Sequence, residues 1–290
     1  MTAQRTPAGH IVAVVSDVDG TLLRTDKSLA PRTVEVVEEL RRAGVKFAIV
    51  SSRPPRGMTA VIDRLGITTP IAGFNGGIVA LPDLTVIASH LIEPDVARHA
   101  VDAIGAAGAS AWVFSGRDWY VRDRNGPRVP FEQRTVGFGP VAVDDFAAVI
   151  GTAAKIVAVS DDPALLNKLQ DEVRVSLSGC AHIARSQSYY LDFTHPLANK
   201  GHAVQEIAAR LGVSPANVAV IGDGENDIDM FSKAGLSIAM GNGDADVQQA
   251  ADFVTGRNDE DGAAAALEWF VLRGQRTPMV GGGAPRKVAQ

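Results

Sequence analysis

Two aspartates, two residues apart, stand directly after an apolar stretch near the start of the chain. The stretch Ile11–Val15 is rich in β-branched residues and predicts a buried parallel strand, and Asp17 and Asp19 follow it. Open α/β sheets bind their ligands where such strands end. Because like charges at this spacing repel, the pair predicts a divalent cation between them, with one carboxylate as nucleophile and the other as proton donor. An acidic turn without chemistry is the alternative.

A calcium-binding EF-hand loop is a second alternative, because such a loop also begins with the pattern D-x-D. That loop requires glycine at its sixth position and glutamate at its twelfth, and the chain has Leu22 and Ser28 there. The sequence therefore excludes an EF-hand at this position.

A second pair of carboxylates, Asp223 and Asp227, follows the predicted strand Val218–Ile221. A carboxylate at a strand end and another at the start of the next helix suit a metal ligand and a residue that orients such ligands. The alternative is a tight Gly-Asp-Gly turn in which Asn226 or Asp227 caps the helix. The sequence contains no P-loop, and its first strand–helix turn lacks the dinucleotide-binding fingerprint.

Two further polar residues stand at predicted helix starts. Ser51 follows the predicted strand Val45–Val50 and offers a hydroxyl beside free backbone N–H groups, which suits an anion. Lys200 opens another helix and could bring a positive charge to a bound phosphate. Considered alone, each is more often a structural or solvated residue.

Composition limits the classes of function. The net charge of −5 gives no general attraction to nucleic acid or to anionic membrane surfaces. No apolar run reaches the ~20 residues that span a bilayer, and the segment Met1–His10 lacks the apolar core of a signal peptide. The single cysteine, Cys180, excludes an internal disulfide, and we expect it to be a small buried residue. These features predict a cytoplasmic protein.

Strand and helix patterns alternate in the first eighty residues and in the C-terminal third, which predicts a doubly wound parallel α/β sheet. The middle of the chain differs, since it holds all three tyrosines and two of the three tryptophans among short strand-like and helix-like runs. We therefore predict a discontinuous core formed by residues 1–82 and 191–290, with an inserted α+β domain at 83–190. The tail Val280–Gln290 is predicted to be disordered.

The further elements predicted from periodicity and glycine stops are the strands Ile71–Phe74, Ser237–Met240 and Phe253–Val254 and the helices Pro31–Ala43, Gly201–Leu211, Asp227–Ala234 and Ala263–Leu272.

In this order, the four polar motifs resemble those of the haloacid dehalogenase-like (HAD) hydrolase superfamily. The family pattern is D-x-D-G-T, then Ser or Thr after the second strand, then a helix-opening Lys, then G-D-x-x-x-D. The chain matches it with Asp17–Thr21, Ser51, Lys200 and Gly222–Asp227. Further segments resemble the Cof-type branch, which is rich in sugar-phosphate phosphatases: Phe74–Gly77, Ile238–Asn242 and Asn258–Gly262. The resemblance covers nearly all of residues 11–272.

The chain departs from the branch at two places. Ser51-Ser52 stands where Thr-Gly is usual, which keeps the hydroxyl, and Asn242-Gly243 stands where Asn-Ala is usual. The resemblance also implies a Rossmann-like HAD core. An insert between Asn75 and Lys200 is the position at which this superfamily carries an α/β cap that closes over the active site.

The resemblance implies Mg²⁺-dependent hydrolysis of a phosphate monoester. Asp17 would attack phosphorus and form a phospho-aspartyl intermediate, and Asp19 would protonate the leaving oxygen and then deprotonate the hydrolytic water. Mg²⁺ would be held by the Asp17 carboxylate, the Asp19 backbone carbonyl and Asp223. Ser51 and Lys200 would hold the phosphate oxygens.

The remaining implied site residues support that phosphate position. Ser52 and Asn226 are further candidates to bind phosphate, and Asp227 would orient Lys200 or a metal-bound water. The implied partner is a small phosphate ester, most directly a sugar phosphate, and we expect no nucleic-acid or membrane partner. The sequence leaves the oligomeric state open.

Alternatives on the same scaffold remain open. A phosphomutase would transfer the phosphoryl group to a second sugar oxygen, and a non-catalytic phosphate sensor would not need Asp19. A dehalogenase is disfavoured because its chemistry needs neither Asp19 as an acid nor a metal.

The sequence does not select the residue that sets substrate specificity among four candidates in the insert, Trp119, Arg122, Arg128 and Arg185. The six histidines show no H-x-x-x-H spacing and are interpreted as surface or core residues.

Overall fold

The computed structural model describes residues 10–274 and 286–287. The strands are β1 (Ala13–Ser16), β2 (Lys46–Ile49), β3 (Ile71–Gly73), β4 (Ile78–Ala80), β5 (Val86–Ser89), β6 (Ser110–Ser115), β7 (Asp118–Val121), β8 (Val141–Ala142), β9 (Ala153–Val159), β10 (His182–Gln187), β11 (Tyr190–Thr194), β12 (Val218–Gly222), β13 (Leu236–Ala239), β14 (Phe253–Val254) and β15 (Arg286–Lys287). The α-helices are α1 (Pro31–Arg42), α2 (Thr59–Leu65), α3 (Pro94–Ala106), α4 (Val129–Val136), α5 (Pro163–Ser176), α6 (Lys200–Leu211), α7 (Ile228–Phe231), α8 (Ala245–Ala250) and α9 (Gly262–Ala266).

The core sheet has the strand order β15-β14-β13-β12-β1-β2 and is parallel except at its β15 edge. Strand β1 pairs with both β12 and β2, and Ser16 stands in register with Ile221 and Ile49. The carboxyl ends of these three strands therefore meet at one edge of the sheet. This edge is the place where an open α/β sheet binds its ligand.

Helices cover both faces of the core sheet, and the residues of β1 are therefore buried on both sides. Val14 packs in a cluster with residues of α1 and α9, whereas Ala13 and Val15 pack in another with residues of α6 and α7. Successive side chains of a strand point to opposite faces, so this division follows from the continuous apolar run. The predicted doubly wound α/β core is confirmed.

The inserted region forms its own sheet, with the strand order β10-β11-β9-β6-β7-β8. Neighbours in it are antiparallel except for the β7–β8 pair. Helices α3 and α5 pack on it around a separate apolar cluster. The sheet of the insert includes β11, which ends at Thr194. Strand β5 belongs to a different, small antiparallel sheet, in which it pairs with β4 and β4 pairs with β3. The sheet of the insert therefore extends beyond the predicted limit of 190, and the two-domain division at 83 and 190 stays a prediction.

Several local predictions need correction. Strand β3 meets the core sheet only through a bridge between Val50 and Ala72, and its regular partner is β4. Cys180 is exposed, not buried, because it lies in the turn that follows α5. Of the predicted disordered tail, residues 286–287 form β15, so the prediction is wrong there; the other tail residues lie outside the described residues.

Within the described part of the chain, no helix combines the length and the apolar character needed to cross a bilayer.

Candidate active site

A single buried ammonium group joins two carboxylates from different parts of the core. Lys200 Nζ lies 2.6 Å from Asp17 Oδ1 and 2.6 Å from Asp227 Oδ1, and all three side chains are buried. Lys200 is the first residue of α6, a helix capped by the Asn199 side chain, which accepts a hydrogen bond from the His202 backbone N–H. The start of α6 thus places the Lys200 ammonium group at the end of β1. The structure brings Asp17, Lys200 and Asp227 together there.

Asp227 also fixes the loop that follows β12. Its Oδ2 accepts hydrogen bonds from the backbone N–H groups of Asp223 (2.9 Å) and Gly224 (2.8 Å). The segment forms the tight turn of the alternative interpretation, and the same Asp227 carboxylate contacts Lys200. Gly224, and not Asn226 or Asp227, stands at the cap position of the 3₁₀ turn that follows, and Asp227 precedes α7 without a side-chain capping bond to it. A charged hydrogen bond to each backbone N–H makes the loop rigid.

Asp223 is held by side chains that sequence reasoning left without a role. Thr21 donates a hydrogen bond to its Oδ1 (2.9 Å), and Asn242 donates one to its Oδ2 (3.1 Å). Asn242 also donates to the carbonyl of Gly20 (2.9 Å) and accepts from the Asn258 backbone N–H (2.9 Å). The segments that contain Asn242 and Asn258 match the Cof-type pattern, which is the sequence signal that could have found them.

Gly20 is required at its position for two independent reasons. Its φ of +79° lies in the left-handed region, and a Cβ atom there would lie 2.2 Å from Asp223 Oδ2. The turn between Asp19 and Thr21 therefore brings the backbone against the Asp223 carboxylate, and no other residue type fits without displacing it.

The cluster has more negative than positive charge. Oxygens of Asp17, Asp223 and Asp227 all lie within 4.8 Å of one another, and Lys200 forms ion pairs with Asp17 and Asp227. Burial raises the pKa of Asp17 well above its ordinary value, repulsion from Asp227 and Asp223 adds to this, and Lys200 opposes it. Burial and repulsion from Asp227 raise the pKa of Asp223 to about 6. A divalent cation would relieve this repulsion, and oxygen donors suit Mg²⁺.

Asp19 belongs to a separate ionic group. Its carboxylate forms two hydrogen bonds with Arg53, from Nε at 2.6 Å and from the terminal nitrogen at 2.7 Å, and a third with Lys27 Nζ at 2.8 Å. Burial alone would raise the pKa of Asp19, but Arg53 and Lys27 outweigh it and the pKa is lowered. The Asp19 carboxylate thus pairs with Arg53 and Lys27 and not with the Asp17 side chain, and the predicted cation between the two aspartates stays a prediction.

Ser51 lies at the end of β2, where it was predicted. It is buried, and its hydroxyl accepts a hydrogen bond from the Arg53 backbone N–H at 3.1 Å. Ser52 is half-buried beside it. Asn226 is exposed at the other end of the group, where its side-chain amide donates to Asn75 Oδ1 at 3.0 Å.

A cavity of about 780 Å³ opens beside Arg53, between the core and the insert. The insert contributes apolar and cationic side chains to its wall, among them Phe131, Arg134 and Phe138, and the core contributes Lys27 and Arg56. Because four cations line this space next to Asp19, it suits an anionic ligand.

The four specificity candidates from the insert lie elsewhere. Trp119 is fully buried and packs against Phe114, with ring centroids 5.8 Å apart. Arg122 lies over the Phe146 ring, Arg128 over the Tyr189 ring, and Arg185 donates to Asn167. All four residues are engaged in contacts within the insert.

We expect the substitution Lys200→Met to destabilise the metal-free protein by about 3–5 kcal/mol, because it leaves two buried carboxylates without their shared cation. Urea unfolding at pH 8 measures this loss. The loss should be smaller at pH 5, since burial raises the pKa of Asp17 and its protonated form needs no counter-ion. Lys168→Met is the matched control, because the Lys168 side chain is 81% exposed and such changes cost about 0.5 kcal/mol or less. Equal effects of the two substitutions would contradict the prediction.

The fold and the acidic cluster together define a Rossmann-like hydrolase core interrupted by a second α/β unit. The family model of haloacid dehalogenase-like hydrolases matches residues 14–267. The chain belongs to this family, and the predicted resemblance is confirmed.

Relatives and solved structures agree with this assignment. The 5-amino-6-(5-phospho-D-ribitylamino)uracil phosphatase of Bacillus subtilis is 30% identical over 270 residues, which cover 89% of this chain and 97% of the relative. The HMP-PP phosphatase of Cronobacter sakazakii is 28% identical over 226 residues, covering 78% and 82%. A haloacid dehalogenase-like hydrolase from Bacteroides thetaiotaomicron superposes with a TM-score of 0.83 at 26% identity, covering 89% and 98%. The chain is accordingly an enzyme, a phosphoric monoester hydrolase of this family.

Proposed function

We propose that this enzyme hydrolyses a small phosphorylated metabolite, most directly a sugar phosphate, through a phospho-aspartyl intermediate on Asp17. The observation that carries the proposal is the position of Asp17 at the end of β1, against the buried ammonium group of Lys200. In the first step a carboxylate oxygen of Asp17 bonds to phosphorus, and the bond from phosphorus to the leaving oxygen breaks. In the second step water takes the place of Asp17 and inorganic phosphate leaves.

Asp19 is proposed as the acid and then the base of these two steps. Its ion pair with Arg53 and Lys27 favours the ionised form, which suits the second step, where it takes a proton from water. The first step needs the protonated form. We therefore propose that substrate binding draws Arg53 away from Asp19, since Arg53 also lines the cavity between core and insert.

Mg²⁺ is the proposed cofactor, held by the Asp17 carboxylate, the Asp19 backbone carbonyl and Asp223. When bound, it would offset the repulsion between Asp17 and the anionic phosphate. The three-carboxylate cluster, with a single lysine as its counter-charge, supports this choice.

The phosphate group itself is proposed to bind at the ends of β2 and α6. Ser51 offers its hydroxyl and Lys200 its ammonium group, with Ser52 and Asn226 at the edge of the group. Asp227 positions Lys200 through its 2.6 Å contact. These donors would hold the phosphoryl oxygens while charge redistributes.

A small ester fits the surroundings better than a polymer. The two named relatives act on small phosphorylated molecules, and the cavity beside Arg53 has the volume of a metabolite site. An insert that closes over the site excludes water, and a threaded polymer would hold it open. The net charge of −5 likewise offers no general attraction for a nucleic acid, and the single cysteine is compatible with the proposed cytoplasmic location.

We expect kcat/KM for the best hexose or pentose phosphate to exceed that for phosphopeptides and 5′-phosphorylated oligonucleotides by about tenfold or more. Steady-state assays of phosphate release with Mg²⁺ across a metabolite panel measure this. A polymer hydrolysed as efficiently as the best small ester would refute the closing-insert argument. Formation of an isomeric sugar phosphate without phosphate release would instead identify a phosphomutase.

A further inference from the structure

Three histidines that have no part in the proposed reaction, His90, His195 and His202, lie together beside the first turn of α6. The ring of His90 lies 4.8 Å from that of His202 and 5.5 Å from that of His195, measured between centroids. All three are half-buried. Their spacing in the sequence gives no hint of this, because the strands β6 to β11 separate His90 from the other two along the chain.

A carboxylate completes the group. Ligand atoms of His90, His202 and Glu206 all lie within 4.8 Å of one another, and His90 Nε2 is 3.6 Å from Glu206 Oε2. Both of these atoms are shielded from solvent, and neither has a hydrogen-bond partner among the described residues. Buried polar atoms without partners are costly, so their convergence indicates a missing ligand.

The surrounding contacts hold the group in place. His202 and Glu206 are four residues apart on α6 and therefore share one face of the helix. Glu206 uses its other oxygen to accept a hydrogen bond from Arg210 at 2.9 Å, and Arg210 also donates to the carbonyl of Ile87 at 3.0 Å. Glu206 Oε2 is thus left aimed at His90. Outer contacts of this kind orient the ligands of metal sites.

We propose that His90, His202 and Glu206 form a binding site for a transition-metal cation of the Zn²⁺ class. Two imidazoles and one carboxylate are a known ligand set for Zn²⁺, with a fourth position left for water. Imidazole nitrogen suits Zn²⁺, Co²⁺ and Ni²⁺, whereas Mg²⁺ takes oxygen ligands, so this site and the aspartate cluster select different metals.

The site lies where the chain passes between the core and the insert. His90 stands between β5 and α3, where the chain leaves the core, and His195 stands between β11 and α6, where it returns. A metal bound to His90 and to α6 would tie the outgoing connection to the helix that begins at Lys200. The site is therefore placed to restrict movement of the insert.

The test is calorimetric titration of Zn²⁺ into protein without a polyhistidine tag, with Mg²⁺ present in large excess. We expect one equivalent of Zn²⁺ to bind. Each of His90→Asn, His202→Asn and Glu206→Gln should weaken Zn²⁺ binding about tenfold or more. Even the loss of a residue that only contacts a metal ligand weakens binding by that factor. His182→Asn, at an exposed site on β10, is the matched control and should bind as the unaltered protein does.

Two results would overturn the proposal. One is the absence of Zn²⁺ binding in excess Mg²⁺, which would leave His90 and Glu206 as a simple ion pair. The other is binding that survives the three ligand substitutions but is lost in Asp223→Asn, which would place the metal at the aspartates. Titration with Co²⁺ gives an answer even if a variant fails to fold. The proposed site should give the intense visible absorption of four-coordinate Co²⁺, and the weak absorption of an all-oxygen site would contradict it.

Discussion

The substitution Asp17→Asn is expected to lower the rate of phosphate release at least about a hundredfold, equal to roughly 2.7 kcal/mol of transition-state stabilisation, while the fold stays intact. An amide is no nucleophile, so the phospho-aspartyl step is lost. The change removes one of three mutually repelling carboxylates, and Lys200 keeps Asp227 as its partner. The measurement is kcat on the best small ester, with the thermal midpoint as a check of folding.

Asp102→Asn is the matched control for this substitution, because Asp102 is an exposed residue on α3. It should retain the full rate. If Asp17→Asn kept more than about one hundredth of the unaltered activity, the assignment of Asp17 as nucleophile would be wrong.

Removal of divalent metal is expected to abolish turnover, and added Mg²⁺ to restore it. Without the cation, the raised pKa of Asp17 favours its protonated form, which does not attack phosphorus, and Lys200 is left to offset the repulsion between the Asp17 carboxylate and phosphate. The measurement is activity after chelation with EDTA and during titration back with Mg²⁺. Full activity in metal-free buffer would exclude Asp223 as a ligand.

The Mg²⁺ requirement should also depend on pH, in a direction that the Asp223 pKa sets. In the metal-free protein the pKa of Asp223 is raised to about 6, so below that pH protons compete with the metal for this carboxylate. More Mg²⁺ is therefore needed for half-maximal activity at pH 5.5 than at pH 7.5. Asp223→Asn should raise the requirement at both pH values and make the difference between them smaller.

The core could be predicted because its signals are local. The continuous apolar runs of β1 and β12 are typical of strands buried on both faces, and the carboxylates that follow them lie at one edge once those strands pair. The placement of Asp17, Asp223 and Asp227 follows from these runs and the strand pairing. Lys200 joins them because α6 begins at that residue.

The partners of Asp19 could not be predicted in this way. Its pairing with Arg53 and Lys27 depends on how the turn after β1 and the loop after β2 approach each other, and no periodicity in the sequence reports that distance. The burial of Trp119 could not be predicted from the sequence either. Its type suggests a ligand contact, but only the packing of β7 against β6 shows that it is interior.

Because Lys200 forms ion pairs with both Asp17 and Asp227, the buried site can accommodate a change in the charge of Asp17 during turnover. In the proposed reaction Asp17 gives up its negative charge when it becomes an acyl phosphate at the end of a buried strand. Asp227, which lies 2.6 Å from the same ammonium group, takes no part in the proposed bond changes. The lysine therefore keeps a counter-ion at every stage, so the charge on Asp17 can change while α6 remains in place.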